Sequence, residues 1–265
     1  MEFCSIASGS SGNCIMTGSD DTHILIDAGI SCKRITEGLD SLSLSPSDID
    51  GIFITHEHTD HTQGIGVLLR KYHIPLYATE KTLDAISASS CLGKVDDSLF
   101  NVVSPDHPVQ INDLTVNPIH ISHDAADPVM YVVQNGEKRA AVVTDLGTYD
   151  NYTIDRLKNL DILLLESNHD IKMLQNGRYP YPLKKRILSD HGHLSNVSCG
   201  RLLCEVLHEN ITAVLLGHLS QENNYERLAY ETVRLEVKMS DGPFGGKDFP
   251  LYVAKRDTVS EYFKF

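Results

Sequence analysis

The run Thr55-His56-Glu57-His58-Thr59-Asp60-His61 constrains this chain more than any other feature. Three imidazoles and the Asp60 carboxylate fall within the six residues from His56 to His61. The run follows Gly51-Ile52-Phe53-Ile54, an apolar stretch that reads as a buried strand. Imidazole and carboxylate together suit divalent transition metals such as Zn and Mn. His56 and His58 alternate, so an extended segment aims both the same way. Asp60 and His61 come one turn later, where the chain can enter a helix and direct them at a second position. One segment could therefore serve two metal ions. Coordinating residues this close together rarely form a satisfied core.

The pattern His-x-His-x-Asp-His after an apolar strand resembles the signature of the metallo-β-lactamase-fold hydrolases. Four further stretches resemble that family in its order, with key residues from 27 to 218. Ile24-Leu25-Ile26-Asp27-Ala28-Gly29 looks like the strand ending in an Asp that orients the metal loop through hydrogen bonds. Ser122-His123-Asp124 falls where the family has a third site-one histidine. Val142-Val143-Thr144-Asp145-Leu146-Gly147 looks like the strand ending in a bridging carboxylate. Val214-Leu215-Leu216-Gly217-His218-Leu219-Ser220 resembles the strand ending in the last histidine. The resemblance implies an α/β fold: an αββα four-layer sandwich with a dinuclear metal site at one edge, as a single domain over residues 1–265. It assigns His56, His58 and His123 to one metal, and Asp60, His61 and His218 to the other. Asp145 would bridge them. The implied cofactors are two divalent ions, Zn or Mn, with Fe also compatible. Zn lowers the pKa of bound water from about 15.7 to roughly 7, so a hydroxide nucleophile is available at neutral pH. Asp60 can accept its hydrogen bond. His23, His73, His107, His120, His169 and His208 match no ligand position.

Length and charge fit one globular enzyme. A chain of 265 residues can bury one large core, and motifs spread over most of it argue against two independent domains. There is no basic segment followed by an apolar stretch at the start, and no apolar run of membrane-span length, so the reading is cytoplasmic and soluble. The six cysteines form no Cys-x-x-Cys pair and read as free buried thiols in a reducing compartment. The net charge of −13 argues against broad electrostatic adhesion to nucleic acid.

The local pattern alternates strands and helices. Strands are expected at 3–7, 14–17, 23–27, 75–78, 131–134, 139–144, 162–166 and 211–217, and helices at 64–72, 154–159 and 225–237. Asn135-Gly136 is a strong turn dipeptide between two of the strands, and Ser195 can cap a helix running through Leu207.

Two features bear on substrate. Leu165-Glu166-Ser167-Asn168 ends one strand, and Gly192-His193-Leu194-Ser195-Asn196 opens the helix before the His218 strand. Phosphodiester-cleaving members of the family carry a Glu and a His in similar places as a proton-delivery pair. Glu166 and His193 look like that pair, and Asp190 and His191 are alternative partners. Residues 172–186 hold Lys172, Arg178, Lys184, Lys185 and Arg186, five of the chain's 23 basic residues, with no acid and with Tyr179 and Tyr181 among them. Basic side chains interleaved with aromatics suit phosphates and stacked bases, although charge clusters are often solvated loops. The turn Ser8-Gly9-Ser10-Ser11-Gly12-Asn13, through Ser10 and Asn13, offers a further phosphate contact or a plain hairpin turn.

Ala7–Asn13, Gly51–His61, His123–Pro128, Thr144–Gly147 and Gly192–Asn196 together resemble the YycJ/WalJ/VicX branch of the family. Members of that branch are regarded as metal-dependent 5′-to-3′ DNA exonucleases. The resemblance thus implies a hydrolase, a nuclease acting on DNA. With 47 residues after His218 and no large insertion between motifs, substrate grip would fall to the core domain, the 172–186 segment or the second subunit of a homodimer. Alternatives stay open: a small-molecule phosphodiesterase, a glyoxalase-like thioesterase, or a non-catalytic metal-binding regulator. DNA versus RNA, polarity and native metal are not readable from the residues themselves.

Overall fold

The computed structural model describes residues 1–89 and 92–265. In chain order, β1 (Glu2–Ala7), β2 (Cys14–Gly18) and β3 (His23–Ile26) precede α1 (Cys32–Ser41). Then come β4 (Ile49–Phe53), α2 (Thr59–Thr62), α3 (Ile65–Tyr72), β5 (Leu76–Thr79), α4 (Glu80–Ala88) and β6 (Phe100–Val103). β7 (Val109–Ile111), β8 (Leu114–His120), β9 (Val129–Asn135) and β10 (Lys138–Val143) follow. Next are α5 (Asn151–Arg156), β11 (Ile162–Glu166), α6 (Ile171–Asn176), α7 (Tyr181–Ile187) and α8 (Asn196–Val206). β12 (Ala213–Gly217), α9 (Glu226–Lys238), β13 (Leu251–Val253) and β14 (Tyr262–Lys264) complete the described elements. The chain forms two compact units built from separated stretches. The first comprises Met1–His120, Ala125–Lys138 and Lys255–Phe265, and the second Ile121–Asp124 and Arg139–Ala254.

The first unit holds a mixed sheet in the order β14-β1-β2-β3-β4-β5-β6. β1, β2 and β3 pair antiparallel, whereas β3, β4, β5 and β6 run parallel. Parallel strands have both faces covered and read as apolar runs, which explains why β3 and β4 lack polar alternation. Ile6, Met16, Leu25, Ile52, Leu68 and Leu76 meet in one buried cluster; truncating any of them to Ala should cost about 2–5 kcal/mol. Gly38 of α1 lets that helix approach β1, since a Cβ there would lie 2.3 Å from Ile6 Cγ2. An antiparallel ladder β7-β8-β9 belongs to the same unit. Tyr131 of β9 packs edge-on against Phe53 at 5.4 Å and donates its hydroxyl to Ile54 O at 2.9 Å. β3 and β4 are in register at Ile26 and Phe53, so Asp27 and Thr55 emerge together at their C-terminal ends.

The second unit is built on parallel strands β10, β11, β12 and β13. Residues Ile162–Leu165 and Val214–Leu216 are fully buried. Register pairs Val143 with Leu165 and Glu166 with Gly217, which brings Asp145, Glu166 and His218 to one end of the sheet. Ligand sites in parallel α/β sheets lie at the C-terminal ends of the strands, and these residues sit there.

Most expected elements are present with shifted ends. The helix expected at 154–159 begins earlier, because Asp150 accepts from Thr153 N at 3.1 Å and caps α5; it cannot reach Asn159, which is left-handed at φ 57°. β12 begins at Ala213 rather than Ile211. Gly136, at φ 57°, occupies the connection from β9 to β10. Ser195 caps α8 by accepting from Ser198 N at 3.1 Å. Most of the 172–186 segment is helical: residues 172–176 belong to α6 and 181–186 to α7, with 177–180 connecting them. Cys4, Cys14 and Cys199 are buried free thiols, Cys32 and Cys204 are half-buried, and Cys91 lies outside the described residues. Among the described residues, no helix is long and apolar enough to cross a membrane.

Candidate active site

In the first unit, the metal-type loop hangs on Asp27. This buried carboxylate accepts from Thr55 N at 2.9 Å, from Thr55 Oγ1 at 3.0 Å, and from His61 Nδ1 at 2.7 Å. His61 therefore has Nδ1 held by a carboxylate, the arrangement that orients metal-binding imidazoles, and its Nε2 faces Asn13 and Asp60. His56 Nδ1 lies 3.0 Å from Thr55 Oγ1, and its Nε2 is 3.1 Å from His58 Nδ1. Two ring nitrogens at that distance converge on one neighbourhood. Asp60 Oδ2 stands 3.6 Å from His61 Nε2. The fold thus brings His56, His58, Asp60 and His61 close together within this unit, with Asp27 behind His61.

The loop fits only because its neighbours are small. A Cβ on Gly29 would fall 1.6 Å from Asp60 O. Asn13 N donates to Asp60 O at 2.8 Å, and Ala28 N donates to His61 O at 2.9 Å. The Asn13 side chain is fully buried; its amide donates to Gly9 O at 3.2 Å and lies 3.2 Å from His61 Nε2. Asn13 therefore supports the ligand loop instead of facing a phosphate, whereas Ser10 is exposed.

In the second unit, one carboxylate organises the site. Glu166 Oε1 accepts from His193 Nδ1 at 2.8 Å and from His218 Nδ1 at 2.7 Å. Its Oε2 accepts from Leu146 N at 2.9 Å and Leu194 N at 3.0 Å. Asp145 Oδ1 lies 3.3 Å from His193 Nδ1, 3.6 Å from His218 Nδ1 and 3.7 Å from His123 Nε2. Side-chain oxygen and nitrogen atoms of Asp145, Glu166, His193 and His218 lie within 4.8 Å of one another. His123 Nδ1 donates to Gly192 O at 3.0 Å, which turns Nε2 toward Asp124 and Asp145. Burial works against the Glu166 carboxylate, but the His193 charge and the two imidazole hydrogen bonds outweigh it and hold its carboxyl well below the usual range. Burial works to lower the His193 pKa, and the Glu166 carboxylate more than reverses this, so His193 is raised. His123 is lowered, chiefly by burial.

Asp27, Asp145 and His218 share a backbone device. Each follows a strand and is left-handed, at φ 62°, 57° and 51°. That conformation costs a non-glycine residue about 1–2 kcal/mol and turns the side chain off the strand direction.

The alternative partners at 190 and 191 lie apart from this pair: Asp190 is exposed and only its backbone carbonyl accepts from Ser122 Oγ, at 2.8 Å, while His191 Nδ1 lies 3.0 Å from that hydroxyl. Glu166 Oε1 pairs with His193. Of the basic residues, Arg186 grips Asp124 with two guanidinium nitrogens, Nη2 to Oδ1 at 2.9 Å and Nε to Oδ2. Lys172, Arg178 and Lys185 are exposed, and Lys184 and Tyr179 are half-buried. Of the histidines left without a ligand role, His208 donates to or faces Leu160 O at 2.9 Å and His107 Pro105 O at 2.9 Å. His169 is buried, and burial depresses its pKa to about 4. Sequence reasoning missed that Glu166 holds His218 as well as His193, and that Gly192 O orients His123.

Comparison with known proteins agrees with this geometry. The family described as the β-lactamase superfamily domain matches residues 22–218. Exodeoxyribonuclease WalJ of Streptococcus pneumoniae is 39% identical over 259 residues, 98% of this chain and 96% of that protein. Exodeoxyribonuclease YycJ of Bacillus anthracis is 38% identical over 237 residues, 88% of each chain. The crystal structure of YhfI from Bacillus subtilis, a metallo-β-lactamase fold protein, matches with a TM-score of 0.69 over 98% of both chains, at 17% identity. The chain therefore has the metallo-β-lactamase fold and belongs to the β-lactamase superfamily, in its WalJ/YycJ branch.

Proposed function

We propose that this chain is a metal-dependent phosphodiester hydrolase that removes nucleotides from DNA in the 5′-to-3′ direction. The Glu166–His193 bond of 2.8 Å carries this reading. A departing alkoxide needs a proton, and an imidazole with a carboxylate-raised pKa holds one near neutral pH. Glu166 engages Nδ1, so the proton would leave from Nε2 of His193. A thiolate leaves without prior protonation, so a thioesterase has no need of this pair. Kinship to proteins named exodeoxyribonucleases supports DNA as the substrate, and work on DNA is compatible with a cytoplasmic location.

We further propose that residues 1–265 act as one domain in which both half-sets bind metal. His56, His58 and His123 would hold one divalent ion, Asp60, His61 and His218 a second, and Asp145 would bridge. The donors fit: His61 has Nδ1 held by Asp27, and His123 has Nδ1 held by Gly192 O, so each presents Nε2 as a neutral ligand. This N/O set admits Zn, Mn or Fe. Bound divalent ions supply water of pKa near 7 and polarise a phosphoryl oxygen. Asp60 orients the attacking water by accepting its hydrogen bond, and His193 protonates the leaving oxygen. Lys172, Arg178 and Lys185 are the exposed cations available to the DNA backbone, and Ser10 offers a further contact. Asp124 occupies Arg186, which sets the position of its helix.

The test is hydrolysis of end-labelled linear duplex DNA by purified protein with Mn or Zn, beside Asp60→Ala. Stepwise release of mononucleotides from the 5′ end, lost in the variant, is expected. Turnover of a thioester or small phosphodiester with no cleavage of DNA would overturn the reading.

A further inference from the structure

Helix α7 carries a face that the metal chemistry does not use. Tyr181, Lys184 and Lys185 lie at helical spacings of three and four on α7, and Leu188 and Ser189 follow just past its end and continue the same face. With Gln175 of α6 they line a groove of about 520 Å³. Tyr181 is 78% exposed and Leu188 45%. Such apolar surface on one stripe gains from being covered. Lys184 Nζ donates to Gln175 O at 2.8 Å, which fixes that ammonium at the groove wall, and Lys185 is exposed. No acid occurs from 172 to 186, in a chain of net charge −13. This face is therefore a local exception to a polyanion-repelling surface.

The face is also tied to the proton donor. His193 N donates to Ile187 O at 3.1 Å, directly off the end of α7. Ser189 is four residues from His193, so their Cα atoms are at most about 14 Å apart. That span is about four stacked nucleotide steps of roughly 3.4 Å.

Building on the nuclease reading, we propose that the α7 stripe is a subsite for a single-stranded segment of the substrate. One base stacks on Tyr181 beside Leu188, and the flanking phosphates lie against Lys184 and Lys185. An aromatic face accepts any base, and lysines bind phosphates without reading sequence. Duplex DNA keeps its base faces in its own stack and has none to offer Tyr181, so the subsite selects an unpaired strand.

The test uses the full, metal-loaded chain and a short fluorescein-labelled phosphorothioate oligonucleotide, which resists hydrolysis. Affinity is read by anisotropy across a salt series, for base-bearing and abasic strands. Tyr181→Ala should weaken binding of the base-bearing strand about tenfold and remove its advantage over the abasic one. Lys185→Ala should reduce the slope of log affinity against log salt by about 0.7. Unchanged affinity and slope in both variants would overturn the subsite and leave the stripe to solvent or a protein partner; so would absence of binding by the wild type. The two readings fail separately. DNA hydrolysis by the wild type with unaltered variant binding sinks only the subsite, and no DNA hydrolysis by the wild type sinks the nuclease reading.

Discussion

Glu166 has two oxygens and four partners: two imidazoles on Oε1 and two backbone N–H groups on Oε2. An ionised carboxylate offers about four acceptor positions, so none is left for direct coordination. Its chemistry is exerted through His193 and His218. This separates two substitutions that look equivalent from the sequence. His193→Ala should lower kcat on DNA by about 10²–10⁴-fold while metal affinity stays near wild type. Glu166→Ala should show that loss and also weaken metal binding about 10–100-fold, because His218 loses its orienting partner. Calorimetric metal titration beside DNA kinetics distinguishes them; equal metal affinity in the two variants would count against His218 as a ligand. The sequence showed Glu166 and His193 as a pair because both lie in short recognisable stretches. It could not show the bond from His218, 52 positions away.

At the level of elements, the apolar strands that lead into the site were legible, whereas β6, β7, β8, β13 and β14 and the α6–α7 region were not. Ile162–Glu166 reads as a strand because a buried parallel strand is apolar throughout. Residues 172–186 lack that simplicity: α6 has six residues and α7 seven, too short to display a long apolar period, and two prolines flank or open the second. The connection from α7 to α8 was equally hidden, since its order comes from backbone groups. Gly192 shows how tight it is. A Cβ there would meet Ile187 O at 2.2 Å and Arg186 O at 2.4 Å, while Gly192 O accepts a hydrogen bond from His123 Nδ1. Gly192→Ala should cost about 3 kcal/mol, the upper end for overpacking, and reduce DNA hydrolysis more than tenfold. A urea melt and an activity assay check both; a wild-type urea midpoint with full activity would show that this turn relaxes freely.

At the scale of the whole molecule, the ligand-type residues were the legible part, because imidazole and carboxylate at strand ends announce themselves by chemistry and spacing. The division into two units from interleaved stretches was not, since no linker or change of composition marks it. The proposed metals would bind the folded chain and not the unfolded one, so their removal should be felt in stability. A metal at about a thousand times its dissociation constant adds about 4 kcal/mol. For a chain of this size that is about 10 °C in Tm. A chelator should lower the melting temperature by that amount, and Mn or Zn should restore it; an unchanged melt would mean that metal binding contributes nothing to the fold. The order of the motifs adds a constraint of time. On the ribosome, His61 is made 157 residues before His218, an interval of about 8–30 s at 5–20 residues per second. Through that interval a nascent chain would carry three imidazoles beside Asp60, joined on the way by His123 and Asp145 but without His218 to complete the set. The Asp27 carboxylate is already made by then, so the early cluster can be held in place by its own neighbours while it waits for the rest of the polypeptide.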